Sequence, residues 1–167
     1  LTQPMRIAGV RFTKVGKLYH FDVTANPEIQ PGDHVIVETT RGRQMGQVMG
    51  FAAWEEGREY KPILRKATPR DLLMKQAWES REVEALIRCR ELAAEIGEYE
   101  GVKFIAAQYN YDGSMLTFLY SYEVDDRTPN VTRLRNRLMR AFRNVRIELR
   151  QIGPRDVAKL LGGYGAC

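Results

Sequence analysis

Arginines are concentrated near the C-terminal end of the chain, where their chemistry is the binding of anions. Positions 127–159 hold nine arginines and one lysine against two acids, a net charge of +8, while the remaining residues sum to −3. A guanidinium keeps its charge at physiological pH and donates hydrogen bonds in pairs, which suits phosphate and carboxylate oxygens. This asymmetry predicts an anionic partner, which would be a nucleic acid, a membrane surface or an acidic protein.

The spacing of these bases predicts that they share exposed faces. On the helix that we predict from Thr128 to Arg143, apolar residues recur at helical spacing and four arginines fall on the opposite side. On the strand predicted next, two arginines alternate in step with Glu148. The candidate residues for binding nucleic acid or an acidic partner are Arg133, Arg137, Arg140, Arg143, Arg146, Arg150, Arg155 and Lys159. The alternative is a solvated face whose arginines serve solubility or pair with acids elsewhere.

Signals for catalysis are weak, and we expect the protein not to be an enzyme. The glycine-rich phosphate-binding motifs and the Gly-x-Ser-x-Gly nucleophile motif do not occur. His20 and His34 lie among hydrophobic neighbours in β-type sequence, which favours ordinary strand residues over catalytic ones. Asp125 and Asp126 resemble a carboxylate pair, but they stand just before Thr128, where acids favour the start of a helix. This pair is the single sequence feature that would support a hydrolytic enzyme.

The two cysteines, Cys89 and Cys167, predict neither a disulfide framework nor a metal site within this sequence. They stand 78 positions apart, whereas zinc and iron–sulfur sites need closely spaced thiolates. Cys89 lies in the middle of a predicted helix and is expected to be a small buried apolar residue. So few cysteines suit a reducing, cytoplasmic compartment. No signal peptide and no apolar run near the length of a membrane span is visible, so we expect no membrane insertion.

The first part of the sequence predicts a small β-barrel, SH3-like or OB-like, over residues 1–67. Short β-rich runs alternate with glycine-bearing turns and leave little room for helix. The predicted strands are Met5–Phe12, Leu18–Val23, His34–Glu38, Gln44–Phe51 and Tyr60–Arg65.

The second part, residues 68–167, predicts an α-β-β-α-β-α sandwich, so the fold class is α+β. A long connecting helix begins after the N-cap Thr68 and ends at Gly97. Its apolar stripe is predicted to comprise Leu72, Leu73, Val83, Leu86, Ile87, Ala93 and Ile96. The turn Asp112-Gly113 joins the strands Val102–Tyr111 and Ser114–Tyr122. The helix from Thr128, the strand Val145–Ile152 and a short helix Arg155–Leu161 follow.

The end of the chain resembles the signature of the YaaT/RicT family, whose shared domain is named after a suppressor of DNA polymerase mutations. The run from Arg150 to Cys167, with its double glycine at Gly162 and Gly163, carries most of the resemblance. Further similar stretches are Val10–Phe12, Gly16-Lys17, Gly32–Thr39 and Pro62–Thr68. The similarity extends over essentially the whole chain.

The resemblance implies a regulatory partner in RNA processing. Family members are associated with small helical proteins of the YlbF and YmcA type and with the endoribonuclease RNase Y in messenger RNA maturation. They also influence sporulation, competence and biofilm formation. The resemblance further implies 4Fe-4S clusters in the full complex, with ligands in a cysteine motif after the double glycine. Only the first of these cysteines is matched, by Cys167, so we expect no cofactor in this chain alone.

Two functions therefore remain open at this point. The first is a regulatory adaptor that assembles with protein partners, in which the arginine face contacts RNA or an acidic partner. The second is a module that binds RNA or DNA by itself through the same arginines.

Overall fold

The computed structural model describes residues 6–12, 17–123, 127–153 and 155–157. The fold is α+β, as predicted, and it comprises two compact units, Leu1–Lys75 and Gln76–Cys167. The division lies within a long helix. The domain boundary predicted at residue 68 stays a prediction, since a compact unit is not by itself an independently folding domain.

The first unit contains a curled antiparallel sheet of five strands. The strands are β1 (Arg6–Arg11), β2 (Tyr19–Asp22), β3 (His34–Thr39), β4 (Gly42–Ala53) and β5 (Ile63–Lys66). Their order across the sheet is β2-β1-β4-β3-β5. Asp22 at the end of β2 forms a bridge with Pro62, directly before β5, so the two edges of the sheet approach each other. An SH3-like or OB-like assignment of this half-barrel stays a prediction.

Apolar side chains at alternate positions of the strands fill the core of this unit. Val35 and Val37 on β3 point inward together with Val48 on β4, and all three are fully buried. Gly46 allows a close approach at this place, because a methyl group added there would overlap the side chain of Val10.

Helix α1 spans Pro69–Ile96, the range that the sequence predicts. Its first turn is a capping box. The backbone N–H of Asp71 donates to Thr68 Oγ1 at 3.2 Å, and the backbone N–H of Thr68 donates to Asp71 Oδ2 at 2.7 Å. The helix ends at Gly97, whose φ of 78° is the left-handed conformation expected of a C-terminal glycine.

The predicted apolar stripe of α1 is partly wrong. Leu73, Val83 and Ile87 are exposed by 68%, 63% and 50%. The core of the second unit instead receives the face that carries Ala85, Cys89, Leu92 and Ala93. The prediction grouped residues from two faces because the run around Val83 mixes apolar and charged side chains. In the described part of the chain, no helix is long and apolar enough to cross a membrane.

The second unit pairs α1 with a sheet of three strands. Strand β6 (Lys103–Tyr109) and strand β7 (Met115–Ser121) form the predicted antiparallel hairpin, and Gly113 in its turn has a φ of 73°. Strand β8 (Arg146–Gln151) pairs with β7 in parallel, so the sheet order is β6-β7-β8.

Helix α2 spans Thr132–Ala141 and begins later than predicted. The sequence predicts Thr128 as the N-cap, but the Asn130 side chain accepts a hydrogen bond from the backbone N–H of Thr132 at 3.0 Å. The Tyr99 hydroxyl donates to the carbonyl oxygen of Asn130 at 2.7 Å. These two bonds hold the residues before Thr132 in a turn, so helical pairing starts only after them. Of the predicted last helix, positions 155–157 are helical and the rest lies outside the described residues.

Candidate functional site

Helix α2 positions the first group of arginines. Leu134 and Leu138 are fully buried in the core of the second unit. Residues three and four apart share one face of a helix, so burying these two leucines turns the opposite face outward. Arg133, Arg137 and Arg140 accordingly lie exposed, which agrees with the helical spacing of the sequence.

Two of these arginines form ion pairs with acids near the C-terminal end of α1. Arg137 lies 3.3 Å from Glu95, and Arg133 pairs with Glu98. All four side chains are about half exposed, so each pair contributes at most about 1 kcal/mol. The sequence left open that the arginines pair with acids elsewhere in the chain instead of binding a partner. Arg133 and Arg137 do form such pairs.

The remaining described arginines of the set lie exposed beyond these pairs. They are Arg140 at the end of α2, Arg143 in the following turn, Arg146 and Arg150 on β8, and Arg155. None of the five forms an ion pair with any residue in the described ranges. Lys159 lies outside the described residues. The exposed arginines without an ion pair among the described residues therefore lie mainly at the end of α2 and along β8.

Strand β8 places its charged residues on the sheet face opposite the core. Parallel pairing sets Arg146 beside Met115, Glu148 beside Thr117 and Arg150 beside Leu119. Leu149, on the other face, is buried in the core. Thr117 Oγ1 donates to Glu148 Oε2 at 3.4 Å. The two arginines therefore share a face with Glu148 between them, as the alternation in the sequence predicts.

Tyr99 links this surface to the rest of its unit. It is buried, and burial is the main cause that raises the pKa of its hydroxyl. The hydroxyl therefore stays protonated and can donate to the carbonyl oxygen of Asn130. This bond fixes the segment that leads into α2 and so helps to set the position of the arginine helix.

Other candidate groups offer little chemistry. His20 is exposed on β2, and His34 is half-buried on β3, where burial and the charge of Lys75 lower its pKa. Burial raises the pKa of the Cys89 thiol to about 12, so this thiol is not a nucleophile near neutral pH. Asp125, Asp126 and Cys167 lie outside the described residues. Within the described residues, no group of three or more His, Cys, Asp or Glu side chains could hold a metal ion.

The predicted set of binding residues does not include two arginines of the same segment. Arg127 and Arg135 are both exposed. Both arginines are counted in the net charge of positions 127–159, and this charge is the sequence feature that indicates them as candidates. Arg135 also lies close enough to Tyr120 to influence the pKa of that hydroxyl, which burial raises.

Comparisons with known proteins identify a family and a relative to which this chain is similar. A family model, the PSP1 C-terminal conserved region, matches residues 61–152, which include most of the exposed arginines. The Stage 0 sporulation protein YaaT of Bacillus subtilis (strain 168) is 35% identical over 165 residues, covering 96% of this chain. The chain spans 58% of the length of that relative. No solved structure matches the chain.

Proposed function

Because the chain belongs to the YaaT/RicT family, which carries the PSP1 C-terminal conserved region, we propose that it is a non-catalytic regulatory subunit in sporulation-related control. It assembles with small helical proteins of the YlbF and YmcA type in the cytoplasm. The assembly modulates messenger RNA processing that depends on RNase Y. The relative YaaT is a stage 0 sporulation protein, which supports the regulatory part of this proposal.

The observation that carries the proposal is the group of exposed arginines between the end of α2 and the end of β8. Arg140, Arg143, Arg146 and Arg150 all lie within the matched family region and pair with no acid in the described part of the chain. Guanidiniums that are exposed and not already engaged can bind anionic groups without first giving up another ion pair. This supports a binding surface for RNA or for an acidic partner protein.

A replacement experiment tests the function in cells. The matching segment of B. subtilis YaaT is replaced by this chain, and sporulation frequency and RNase Y-dependent transcript processing are measured. We expect the chimera to restore both, and expect the variant with Arg140, Arg143, Arg146 and Arg150 changed to Gln to restore neither. The matched control changes Arg133 and Arg137 to Gln and should behave like the unmodified chimera. A quadruple variant that is expressed at normal level and fully active would refute the proposal.

The second candidate is a module that binds RNA or DNA without protein partners, and the same arginines favour it. Purified chain is therefore mixed with RNA alone, with the YlbF- and YmcA-type proteins alone, and with both. The regulatory proposal expects a complex with the two proteins in the absence of RNA. Tight binding to RNA combined with no protein complex would favour the stand-alone module.

A 4Fe-4S cluster does not fit the described residues, since they contain no group of three or more cysteine, histidine or acid side chains that could hold a metal ion. Cys167 supplies one thiolate of the four that such a cluster needs. We therefore propose Cys167 as a cluster ligand only in an assembly whose other members supply further thiolates. Iron and sulfide reconstitution of the chain alone should give the same spectrum for wild type and Cys167→Ser. A cluster retained by the chain alone would show that this assignment is wrong.

A further inference from the structure

The two edges of the three-stranded sheet differ in how their backbone groups are satisfied. At the β6 edge, side chains of α1 take the place of a further strand. The backbone N–H of Tyr109 donates to Glu82 Oε2 at 2.7 Å, and Arg90 donates to the carbonyl oxygen of Phe104 from Nε at 3.1 Å and from Nη2 at 2.7 Å. Covering an edge strand with a helix blocks pairing with another chain, and here two charged side chains of α1 occupy backbone groups of β6. The β6 edge is therefore closed.

The β8 edge has no such cover among the described residues. Arg146 N–H donates to the Ser114 carbonyl at 2.9 Å, and Ile152 N–H donates to the Tyr120 carbonyl at 2.8 Å. In a parallel ladder every second residue makes both of its bonds to the same neighbour. The residues between them therefore direct their N–H and C=O groups away from β7, and these residues are Ile147, Leu149 and Gln151. Their backbone groups bond to no described residue.

The charges beside this edge select the kind of strand that fits it. Arg146 and Arg150 are exposed on the outer face and lie four residues apart, which is about 13 Å along a strand. Glu148 lies between them on the same face. A neighbouring strand with acids four residues apart would place each acid beside an arginine. Its middle residue, opposite Glu148, would have to be uncharged or basic.

We infer that the β8 edge binds an extended acidic segment of a partner protein as a fourth strand of this sheet. This inference rests on the proposed function, because it specifies what the exposed arginine surface of the regulatory subunit recognises. The backbone groups supply affinity along the edge, and Arg146 and Arg150 supply the preference for acids.

The backbone favours a peptide over a nucleic acid. The edge presents three carbonyl acceptors as well as three N–H donors. Phosphate oxygens only accept hydrogen bonds, so a phosphate backbone would leave the carbonyl groups without partners. An extended peptide satisfies both kinds of group in the spacing that β8 already has.

The test uses a synthetic peptide that carries two glutamates four residues apart, a threonine midway between them and valines at the alternate positions. Amide hydrogen exchange of the labelled 167-residue chain is followed by NMR with and without this peptide. We expect the amides of Ile147, Leu149 and Gln151 to exchange at least about tenfold more slowly in the complex. Binding without protection of these three amides would overturn the inference.

Variants and control peptides separate backbone pairing from charge. Arg146→Gln and Arg150→Gln should each weaken binding about two- to five-fold, the effect typical of exposed ion pairs. Gln151→Pro removes an outward N–H that β7 does not use, so it should weaken binding while Gln151→Ala does not. The same peptide with N-methyl groups on its edge-facing amides keeps its charge and should not bind. Equal binding of the N-methylated peptide would show that charge alone acts, which would refute strand pairing.

A single-stranded polyuridine of about 20 nucleotides serves as the nucleic-acid probe. If it binds through Arg146 and Arg150 while the peptide does not, the inference is wrong and the surface recognises RNA. A negative peptide result together with an intact complex with the helical proteins would refute strand pairing only. The proposed function fails separately, when the quadruple arginine variant remains active in the replacement experiment.

Discussion

The indole ring of Trp78 lies so close to the backbone of Gly113 that a methyl group on Gly113 would overlap the ring. Trp78 also contacts Tyr109, with ring centroids 5.0 Å apart, and the Arg81 guanidinium lies 5.0 Å from the centre of the indole. The β6–β7 turn is thereby tied to α1. Both the left-handed φ of Gly113 and this contact exclude a side chain at that position.

We therefore expect Gly113→Ala to lower the free energy of unfolding by about 3 kcal/mol. The left-handed conformation costs roughly 1–2 kcal/mol for alanine, and the overlap with Trp78 adds a cost of about 1–3 kcal/mol. Urea denaturation measures the change. Gly97→Ala is the matched control, because Gly97 also has a positive φ but has open space around it. Equal losses in the two variants would show that Trp78 does not constrain the turn.

A second prediction concerns the buried carboxylate at the start of α1. Asp71 is 4% exposed and receives two bonds from Arg65, at 2.5 Å and 3.2 Å, as well as the N–H of Thr68. Asp71→Asn removes the charge from this network and should destabilise the protein by about 2 kcal/mol. Glu55→Gln breaks the exposed pair with Arg58 and should cost less than about 1 kcal/mol. Similar losses of unfolding free energy in the two variants would show that burial does not strengthen the bonds that Asp71 accepts.

Features with local sequence signals could be predicted closely. The bounds of α1 follow from Thr68 and Gly97, and the β6–β7 hairpin follows from Asp112-Gly113. The burial of Leu134 and Leu138 and the exposure of the arginines opposite them follow from helical periodicity. Each of these signals is carried by residues within a few positions of one another, so tertiary contacts are not needed to interpret them.

Features that depend on distant residues could not be predicted. Arg133 and Arg137 meet acids that are 35 and 42 positions away, and no pattern in the sequence indicates those pairs. The late start of α2 depends on Tyr99, which lies 31 positions from Asn130. The closing of the β6 edge likewise requires two α1 side chains to reach a particular strand. Which arginines form ion pairs and which do not is therefore known only once the fold is known.

A third prediction concerns the thiol of Cys89. Burial raises its pKa from the ordinary value of 9.0 to about 12. The stabilisation that goes with the raised pKa is complete below pH 9.0 and is lost as the pH rises through about 12. In a Cys167→Ser variant, which leaves Cys89 as the single thiol, Ellman's reagent at about pH 8 should not react with the native protein. One equivalent should react in urea. Rapid reaction under native conditions would contradict the burial of Cys89.

A fourth prediction compares the two groups of arginines in their binding to polyanions. Arg133 and Arg137 must each give up an ion pair with an acid of their own unit before they can bind another anion. Arg140 and Arg143 pair with no acid in the described ranges. The double variant Arg140→Gln/Arg143→Gln should therefore bind single-stranded RNA more weakly than the double variant Arg133→Gln/Arg137→Gln. Both double variants remove the same charge, so the difference would come from the ion pairs.

The salt dependence of binding measures this difference. Each phosphate contact that is lost lowers the slope of log affinity against log salt concentration by about 0.7 for single strands. We expect a reduction of about 1.4 for Arg140→Gln with Arg143→Gln, and a smaller reduction for the control pair. The control pair should instead lower the free energy of unfolding slightly, by less than about 1 kcal/mol for each ion pair removed. Equal slopes for the two double variants would show that the ion pairs with Glu95 and Glu98 do not reduce the contribution of Arg133 and Arg137 to RNA binding.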